Sequence, residues 1–275
     1  MQLGAAGGYD ALIFFPADSG RYYIEFQRYD YFTGEPDLGS FEIELFDITI
    51  ADSVTNIVET GRVHSQGWQF LEGSDFSGWK RNSSTFFVYS NDSIITSVEY
   101  EDIEGRAWIM FCNDRGCQNT GDFEEDRKSL DDQQAYVPQY KIFLNEPDAD
   151  LFPPALVNGS IIPPWPWAET FCDSGFVIFH VNVDKAAAVE VLLDIADPFV
   201  DRVLPFNVVP GENLIPWDGN DGAGTPVTNN TVIDFQVTYI NGLTHLPLYD
   251  IEGNEFGFRI QLVSPIGPVP LVYWD

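Results

Sequence analysis

The residues best suited to chemistry lie in one short loop, residues 217–224, where acidic and amide side chains alternate with glycines. A calcium loop needs oxygen ligands at alternate positions, and Asp218 and Asn220 meet that need. Asp221 is one position out of phase, and no glutamate follows at the usual offset. The same residues suit a turn, because glycines permit positive φ and Asp and Asn side chains bond nearby amides. We therefore expect a structural turn, with Asp218, Asn220 and Asp221 as the metal ligands if calcium is a cofactor.

Two cysteines, Cys112 and Cys117, enclose the turn-forming residues Asn-Asp-Arg-Gly. A disulfide across so short a loop is typical of an exported protein, and we predict one between Cys112 and Cys117. A zinc site would need a second close pair, and a redox pair would have a two-residue spacing. Cys172 is left over and is expected to be a buried thiol.

Tryptophans form the third chemical feature. Exposed aromatic rings stack on the C–H faces of sugars, so Trp79, Trp165 and Trp167 are candidates for a carbohydrate-binding platform. Trp165 and Trp167 lie among prolines, where they could instead cover a seam between domains. Trp68 belongs to a strand pattern and is expected to pack inside. Extracellular glycans are therefore one candidate class of partner.

Motifs of catalysis are missing from this sequence. The histidines His64, His180 and His245 are widely spaced and stand in no two-histidine metal motif, and we interpret His180 as structural or exposed. There is no phosphate-binding glycine loop, nucleophile elbow or dinucleotide fingerprint. Because 43 acidic residues ensure chance carboxylate pairs, glycoside hydrolysis stays open as a rival. We predict a non-enzymatic protein with no catalytic residues.

The formal net charge is −30 over 275 residues, from 43 acidic and 13 basic side chains. Such a surface repels nucleic acid and anionic lipid, since phosphate binding needs clustered Lys and Arg. It suits calcium, basic partners or solubility outside a cell. No stretch approaches the roughly 20 apolar residues of a membrane-spanning helix, so we expect no membrane insertion. The first residues lack the basic region of a signal peptide, and we expect an export signal to have been removed.

Strand patterns must position these residues. Residues 41–45 alternate apolar and acidic side chains, which is the period of a half-buried strand. Residues 84–89 and 94–100 flank a Ser-Asn-Asp-Ser turn and predict a hairpin. Residues 107–112 and 140–144 predict two more strands. A hydrophobic content of 44% supplies enough side chains for filled cores.

A polar and proline-rich stretch, residues 146–154, predicts a linker. The strand pattern resumes beyond it at residues 176–183, 189–195, 232–240 and 256–263. Residues 184–191 have a helical composition or continue as a strand after a turn. Short strands without long helices between them indicate β-sandwiches. We predict an all-β fold of two tandem β-sandwich domains, a jelly-roll-like domain at residues 1–152 and a second domain at 153–275.

The second half of the chain resembles a known module. Residues 155–275 are similar to an immunoglobulin-like module of large Bacteroidetes surface proteins and to the Ig-like domain of flagellar hook-capping proteins. The shared cassette, Trp-Asp-Gly-x-Asp-x-x-Gly-x-Pro-Val, is matched by Trp217, Asp218, Gly219, Asp221, Gly224, Pro226 and Val227. Residues 242–250 and 257–263 also resemble gliding-motility-associated surface proteins. In the first half, residues 61–70, 87–90, Cys112 and 116–117 resemble the amino-terminal domain of the same proteins.

The resemblance implies an Ig-like second domain in which the cassette joins two strands and is not catalytic. It implies export by the type IX secretion system to the outer surface of a Gram-negative bacterium. We expect this chain to be part of a longer secreted protein. Its partners would then be further domains of that protein and secretion or cell-surface components. The function we expect is structural or adhesive, with a carbohydrate-binding module or an accessory region of a carbohydrate-active enzyme as the alternative.

Overall fold

The chain divides into two compact units, residues 1–59 and 60–275. The computed structural model describes residues 13–24, 28–29, 32–37, 48–71, 81–104, 107–129, 137–171, 176–249 and 253–266. The structure is 44% strand and 2% helix, which confirms the predicted all-β fold class. The Ig-like identity of the second domain stays a prediction. No helix within the described ranges is long and apolar enough to cross a membrane.

The first unit contains a short antiparallel ladder of β1 (Arg28–Tyr29) and β2 (Pro36–Asp37). A turn further along this unit is closed by Asp52, whose Oδ1 accepts hydrogen bonds from the amides of Val54 and Thr55. The strand predicted at residues 41–45 lies outside the described residues.

The second unit holds the remaining elements. In chain order they are β3 (His64–Ser65), β4 (Gly67–Leu71), β5 (Arg81–Tyr89), β6 (Ile95–Glu104), β7 (Ala107–Phe111), α1 (Phe123–Arg127), β8 (Lys141–Phe143), β9 (Trp167–Phe171), β10 (Phe176–Val183), β11 (Ala187–Ile195), β12 (Arg202–Val208), β13 (Gly211–Trp217), β14 (Ile233–Ile240), β15 (Leu248–Tyr249), β16 (Gly253–Asn254) and β17 (Phe258–Ser264). The predicted hairpin is confirmed, because β5 and β6 pair in antiparallel fashion around the turn.

The first sandwich packs two sheets against each other. One sheet has the order β16-β6-β5-β8-β3, with β17 also paired to β6, and the other has the order β15-β7-β4. Its core contains Phe86, Tyr100, Trp108 and Met110, which are almost fully buried. The rings of Tyr100 and Trp108 meet edge to face, with centroids 5.3 Å apart. Burial of these large apolar surfaces is the main force that holds the two sheets together.

The second sandwich packs the sheet β13-β10-β9 against the sheet β12-β11-β14. Alternation along each strand selects the buried side chains, as in Val189, Val191 and Leu193 of β11, which are all fully buried. Residues 187–191 therefore form a strand rather than a helix, because a period of two is what places these valines on one face.

The chain returns to the first sandwich near its end. The predicted boundary at 152/153 lies between β8 and β9, yet β15 pairs with β7, and β16 and β17 pair with β6. The last strands of the predicted second domain thus complete the sheets of the first. The stretch predicted as a linker is also held in place, since Arg62 Nε donates to Asp148 Oδ2 at 2.6 Å.

The two sandwiches are joined where the chain crosses between them. The Ala155 amide donates to the Ser93 carbonyl at 2.7 Å. The Gly242 amide donates to Asp92 Oδ2 at 2.7 Å, and the Tyr140 hydroxyl donates to the Leu243 carbonyl at 2.8 Å. Burial raises the pKa of Tyr140 well above its ordinary value, so this hydroxyl stays protonated and keeps its proton for that bond.

Candidate ligand-binding face

The outer side of the sheet β13-β10-β9 carries the most distinctive set of exposed side chains. In β10 the inward series Phe179, Val181 and Val183 is buried, so the alternate residues, which include Ile178 and His180, point outward. The neighbouring strands add outward residues in register. We call this surface the platform face and define it by Trp167, Glu169, Ile178, His180, Glu212 and Leu214.

The centre of the platform face is a stacked pair of rings. Antiparallel pairing places His180 opposite Trp167 of β9 and opposite Leu214 of β13. The imidazole and indole rings lie 3.8 Å apart at their centroids, with 12° between their planes. Trp167 remains 44% exposed and Leu214 remains 52% exposed. The sheet thus holds an indole ring in a fixed orientation with much of its surface in solvent.

Two carboxylates flank the stacked rings. His180 Nδ1 lies 2.9 Å from Glu212 Oε1, and His180 Nε2 lies 3.4 Å from Glu169 Oε2. Each imidazole nitrogen of His180 thus has one carboxylate oxygen beside it. The side chain of His180 is 13% exposed, whereas those of Glu169 and Glu212 are 46% and 57% exposed. The carboxylates are therefore anchored on their inner side and open to solvent on their outer side.

An aromatic pair extends the platform face along the strands. Phe171 and Phe176 face each other across β9 and β10, with ring centroids 6.5 Å apart. They are 41% and 40% exposed. Phe171 lies four positions after Trp167 along β9, which corresponds to about 13 Å in a strand. Exposed rings thus stand at both ends of one strand, as an extended ligand would require.

The structure brings one of the three predicted tryptophans into the platform face. Trp167 belongs to it, while Trp165 is 66% exposed just before β9 and makes no polar contact with a described residue. Trp79 lies outside the described residues. The Pro163 carbonyl accepts a bond from Asn182 Nδ2 at 2.8 Å, which ties the proline-rich stretch to β10. No described contact places either Trp165 or Trp167 over a seam between domains.

Sequence reasoning did not single out Glu169 and Glu212, and it interpreted His180 as structural or exposed. The available signal was the alternation of β10, which sets His180 apart from the buried series. The pairing of β9 and β13 with β10 is what adds the two carboxylates, and pairing between distant strands leaves no local trace in a sequence.

The loop at residues 217–224, for which we expect a structural turn, is closed by hydrogen bonds to the side chain of Asp221. Asp221 is 4% exposed, and its Oδ1 accepts from the amides of Ala223 at 3.0 Å and Thr225 at 2.7 Å. Its Oδ2 accepts from the Val200 amide at 3.1 Å. Burial opposes the ionisation of Asp221, but these amide hydrogen bonds outweigh it and hold the pKa of the carboxyl below its ordinary range. The ionised side chain closes the turn through backbone amides.

The other two predicted ligands are also engaged. Asp218 Oδ1 accepts from Arg202 Nη1 at 2.5 Å and from the Asn220 amide at 3.0 Å. The Asn220 carbonyl accepts from Arg202 Nη1 and from Trp217 Nε1. The guanidinium of Arg202 thus already binds two of the oxygens that a cation in this loop would need. Within the described parts of the chain, no group of three or more His, Cys, Asp or Glu side chains is arranged to hold a metal ion.

The predicted disulfide between Cys112 and Cys117 is absent, since Cys112 carries a free thiol. Cys112 continues the inward series of β7 and is fully buried in the first core, where burial raises the pKa of its thiol. The loop that follows is closed by Asn113 instead. Asn113 Oδ1 accepts from the Gly116 amide at 2.8 Å, and Asn113 Nδ2 donates to the Gly116 carbonyl at 3.0 Å. Cys172 lies outside the described residues.

Fold and site together define an all-β sandwich protein with an outward aromatic and carboxylate face. Comparison of the chain with family models, curated proteins and solved structures found no match. Its function is therefore to be derived from the platform face and from the chemistry of its residues.

Proposed function

We propose that this chain is a non-enzymatic adhesion segment of a large secreted cell-surface protein, and that the platform face is its contact surface. The observation that carries the proposal is the stacked pair of Trp167 and His180, which holds an exposed indole on a rigid sheet. Exposed aromatic residues on a fixed surface supply contact area at a low cost in conformational entropy. Membership of the gliding-motility and type IX secretion class, with an outer-membrane-associated location, is part of this proposal.

The joint between the sandwiches suits an adhesive segment. Hydrogen bonds at Ala155, Gly242 and Tyr140 cross it, and β15, β16 and β17 return to the first sandwich. Two chain crossings resist separation of the sandwiches better than one linker does. Such a unit would transmit force from the platform face to further domains of the same protein.

The charge of the chain supports an extracellular setting. A net charge of −30 repels nucleic acid and anionic lipid headgroups. It also keeps copies of the protein apart in solution. An adhesion segment with this charge would rely on local contacts at its binding face, since its overall field repels most biological surfaces.

A bead assay tests the proposal. Beads coated with the chain are passed over films of a neutral polysaccharide, poly-lysine and alkylated glass, and retention under flow is compared between wild type and Trp167→Ala/Leu214→Ala. Leu192→Ala is the matched control, because Leu192 is 40% exposed on the opposite sheet. We expect retention on at least one film that the double variant loses and the control keeps. Equal retention of wild type and double variant, or no retention on any film, would overturn the proposal.

The second candidate function is a carbohydrate-binding module or an accessory region of a carbohydrate-active enzyme. The observation that favours it is again the exposed ring of Trp167 beside two carboxylates. The two candidates differ in the role of the platform face. In an adhesion segment the face is itself the contact surface, whereas in a carbohydrate-binding module it directs an attached enzyme to its substrate. Hydrolysis of chromogenic glycosides by the purified chain would contradict both.

A further inference from the structure

We infer that the platform face binds a neutral polysaccharide, with one sugar ring stacked on the free side of the Trp167 ring and hydroxyl groups of neighbouring sugars bonded to Glu169 and Glu212. This inference rests on the proposed function, because it names the ligand of the same face. Each part of the ligand is assigned by the side chain that would recognise it.

The indole of Trp167 provides the stacking surface. The ring of His180 covers one side of the indole, with the ring centroids 3.8 Å apart, and Trp167 as a residue remains 44% exposed. A pyranose ring presents a flat patch of C–H groups that matches an indole in size, and the negative face of the indole attracts those polarised hydrogens. Leu214, 52% exposed on the other side of His180, widens the apolar area.

The carboxylates provide acceptors for hydroxyl groups. Glu212 uses Oε1 and Glu169 uses Oε2 to contact His180. Their second oxygens, Glu212 Oε2 and Glu169 Oε1, have no hydrogen-bond partner among the described residues. An ionised carboxylate is an acceptor only, so a ligand must bring donors, as sugar hydroxyls do.

Charge distinguishes a neutral polysaccharide from the other ligand classes. Glu169 and Glu212 disfavour anionic polymers, and no Lys or Arg belongs to the platform face as defined. Each carboxylate already uses one oxygen to contact His180, so the face offers a cationic polymer only the two remaining oxygens. Apolar side chains, among them Ile178 and Leu214, occupy the remaining area, which suits a neutral ligand bound by stacking.

The length of the face indicates a chain rather than a single sugar. Phe171 and Phe176 are exposed at the far end, about 13 Å from Trp167 along the strand. This distance leaves room for more than one sugar ring between the aromatic groups. Affinity should therefore rise from monosaccharide to oligosaccharide.

Affinity electrophoresis in native gels tests the inference, since the acidic chain migrates readily. The gels contain galactomannan, mixed-linkage β-glucan or dextran as neutral probes, and polygalacturonate as the anionic probe. We expect retardation by at least one neutral probe and none by polygalacturonate. The retardation should persist in about 1 M NaCl, where charges are screened beyond about 3 Å.

Four variants separate stacking from charge. Trp167→Ala should weaken binding roughly tenfold, and Trp167→Phe should retain part of it because a ring remains. Glu212→Ala should weaken binding, whereas Glu212→Gln should keep most of it because an amide oxygen still accepts a hydroxyl. Glu190→Gln on the outer side of β11 is the matched control. The melting temperature of each variant shows whether it has folded.

The possible failures are distinguishable. Neutral binding that Trp167→Ala leaves unchanged would overturn the inference. Binding of poly-lysine that is abolished by both Glu212→Gln and Glu212→Ala would also overturn the inference, because the attraction would then be electrostatic. If no neutral probe binds while coated beads still hold to another film through the platform face, this inference fails and the proposed function stands. If the beads are also not retained on any film, the inference and the proposed function are both contradicted.

Discussion

His180 and Trp167 lie face to face on adjacent strands, with ring centroids 3.8 Å apart and ring planes 12° apart. The register of β9 and β10 makes them direct cross-strand neighbours, and Glu169 and Glu212 contact the two imidazole nitrogens. His180 is thus fixed from both sides and supports one face of the indole. We assign it the role of a positioning residue for Trp167.

Replacement of His180 by Ala should weaken ligand binding less than replacement of Trp167 does, because the ring remains but loses its support. An aromatic stack of this kind is worth about 0.5–1.5 kcal/mol, so the fold should survive. The emission of Trp167 is obtained as the difference between the spectra of the proteins with Trp167 and with Trp167→Phe, once in wild type and once in His180→Ala. This difference spectrum should change in His180→Ala, because the neighbouring imidazole is lost. Unchanged Trp167 emission would contradict the positioning role, whatever the effect on stability.

The cassette loop should stabilise the fold without calcium. Asp221→Ala removes the acceptor for the amides of Val200, Ala223 and Thr225 and should lower the melting temperature clearly. Calcium and a chelator should give wild type the same melting temperature, because Arg202 already pairs with Asp218 at the loop. The scan is run with and without calcium on wild type and Asp221→Ala. A calcium-dependent rise in wild type that Asp221→Ala abolishes would contradict the turn assignment and restore the metal site.

Acid should weaken the fold through its bonded carboxylates. The bond from Arg62, together with amide bonds, lowers the pKa of Asp148 below its ordinary value of about 4. A folded-state pKa below the unfolded one adds stability above the unfolded pKa, and this stability is lost as pH falls through the folded pKa. We therefore expect the contribution of Asp148 to be constant from about pH 7 to 5 and to disappear below about pH 4.

Acidification also relieves the self-repulsion of a chain with a net charge of −30, which opposes this loss. The comparison of wild type with Asp148→Asn isolates the one carboxylate. The variant should have a lower melting temperature at pH 7 and should approach wild type at pH 3. A constant difference between the two proteins across this range would count against the assignment.

Gly61 should tolerate no side chain. It has φ +72°, and a Cβ there would lie against the backbone of Glu146 and Asp148. Gly257 is the matched control, with φ +71° and no described atom within 4 Å of an added Cβ. Gly257→Ala should cost about 1–2 kcal/mol from conformation alone. Gly61→Ala should cost at least about 1 kcal/mol more, from overpacking against backbone that cannot easily shift. Urea unfolding of the two variants gives the comparison, and equal losses would show that residues 146–148 do not pack on Gly61.

Strand positions followed closely from local patterns. The alternating run FVIFHVNV predicts residues 176–183, and β10 occupies that range. The glycines and Asp side chains of the cassette predict a turn, and Asp221 closes one. These features depend on neighbours within a few residues, where side-chain period and backbone conformation leave a direct mark on sequence.

Tertiary structure alone decided the platform face and the course of the chain. Trp167, His180 and Glu212 come from three strands, and only the register of β9, β10 and β13 brings them together. The return of β15–β17 to the first sandwich and the inward direction of Cys112 are decided in the same way. A period of two shows which residues share a face, but the choice of partner strand depends on the burial of whole sheets. The free energy gained by burying the apolar faces of whole sheets belongs to the assembled cores and to no single segment.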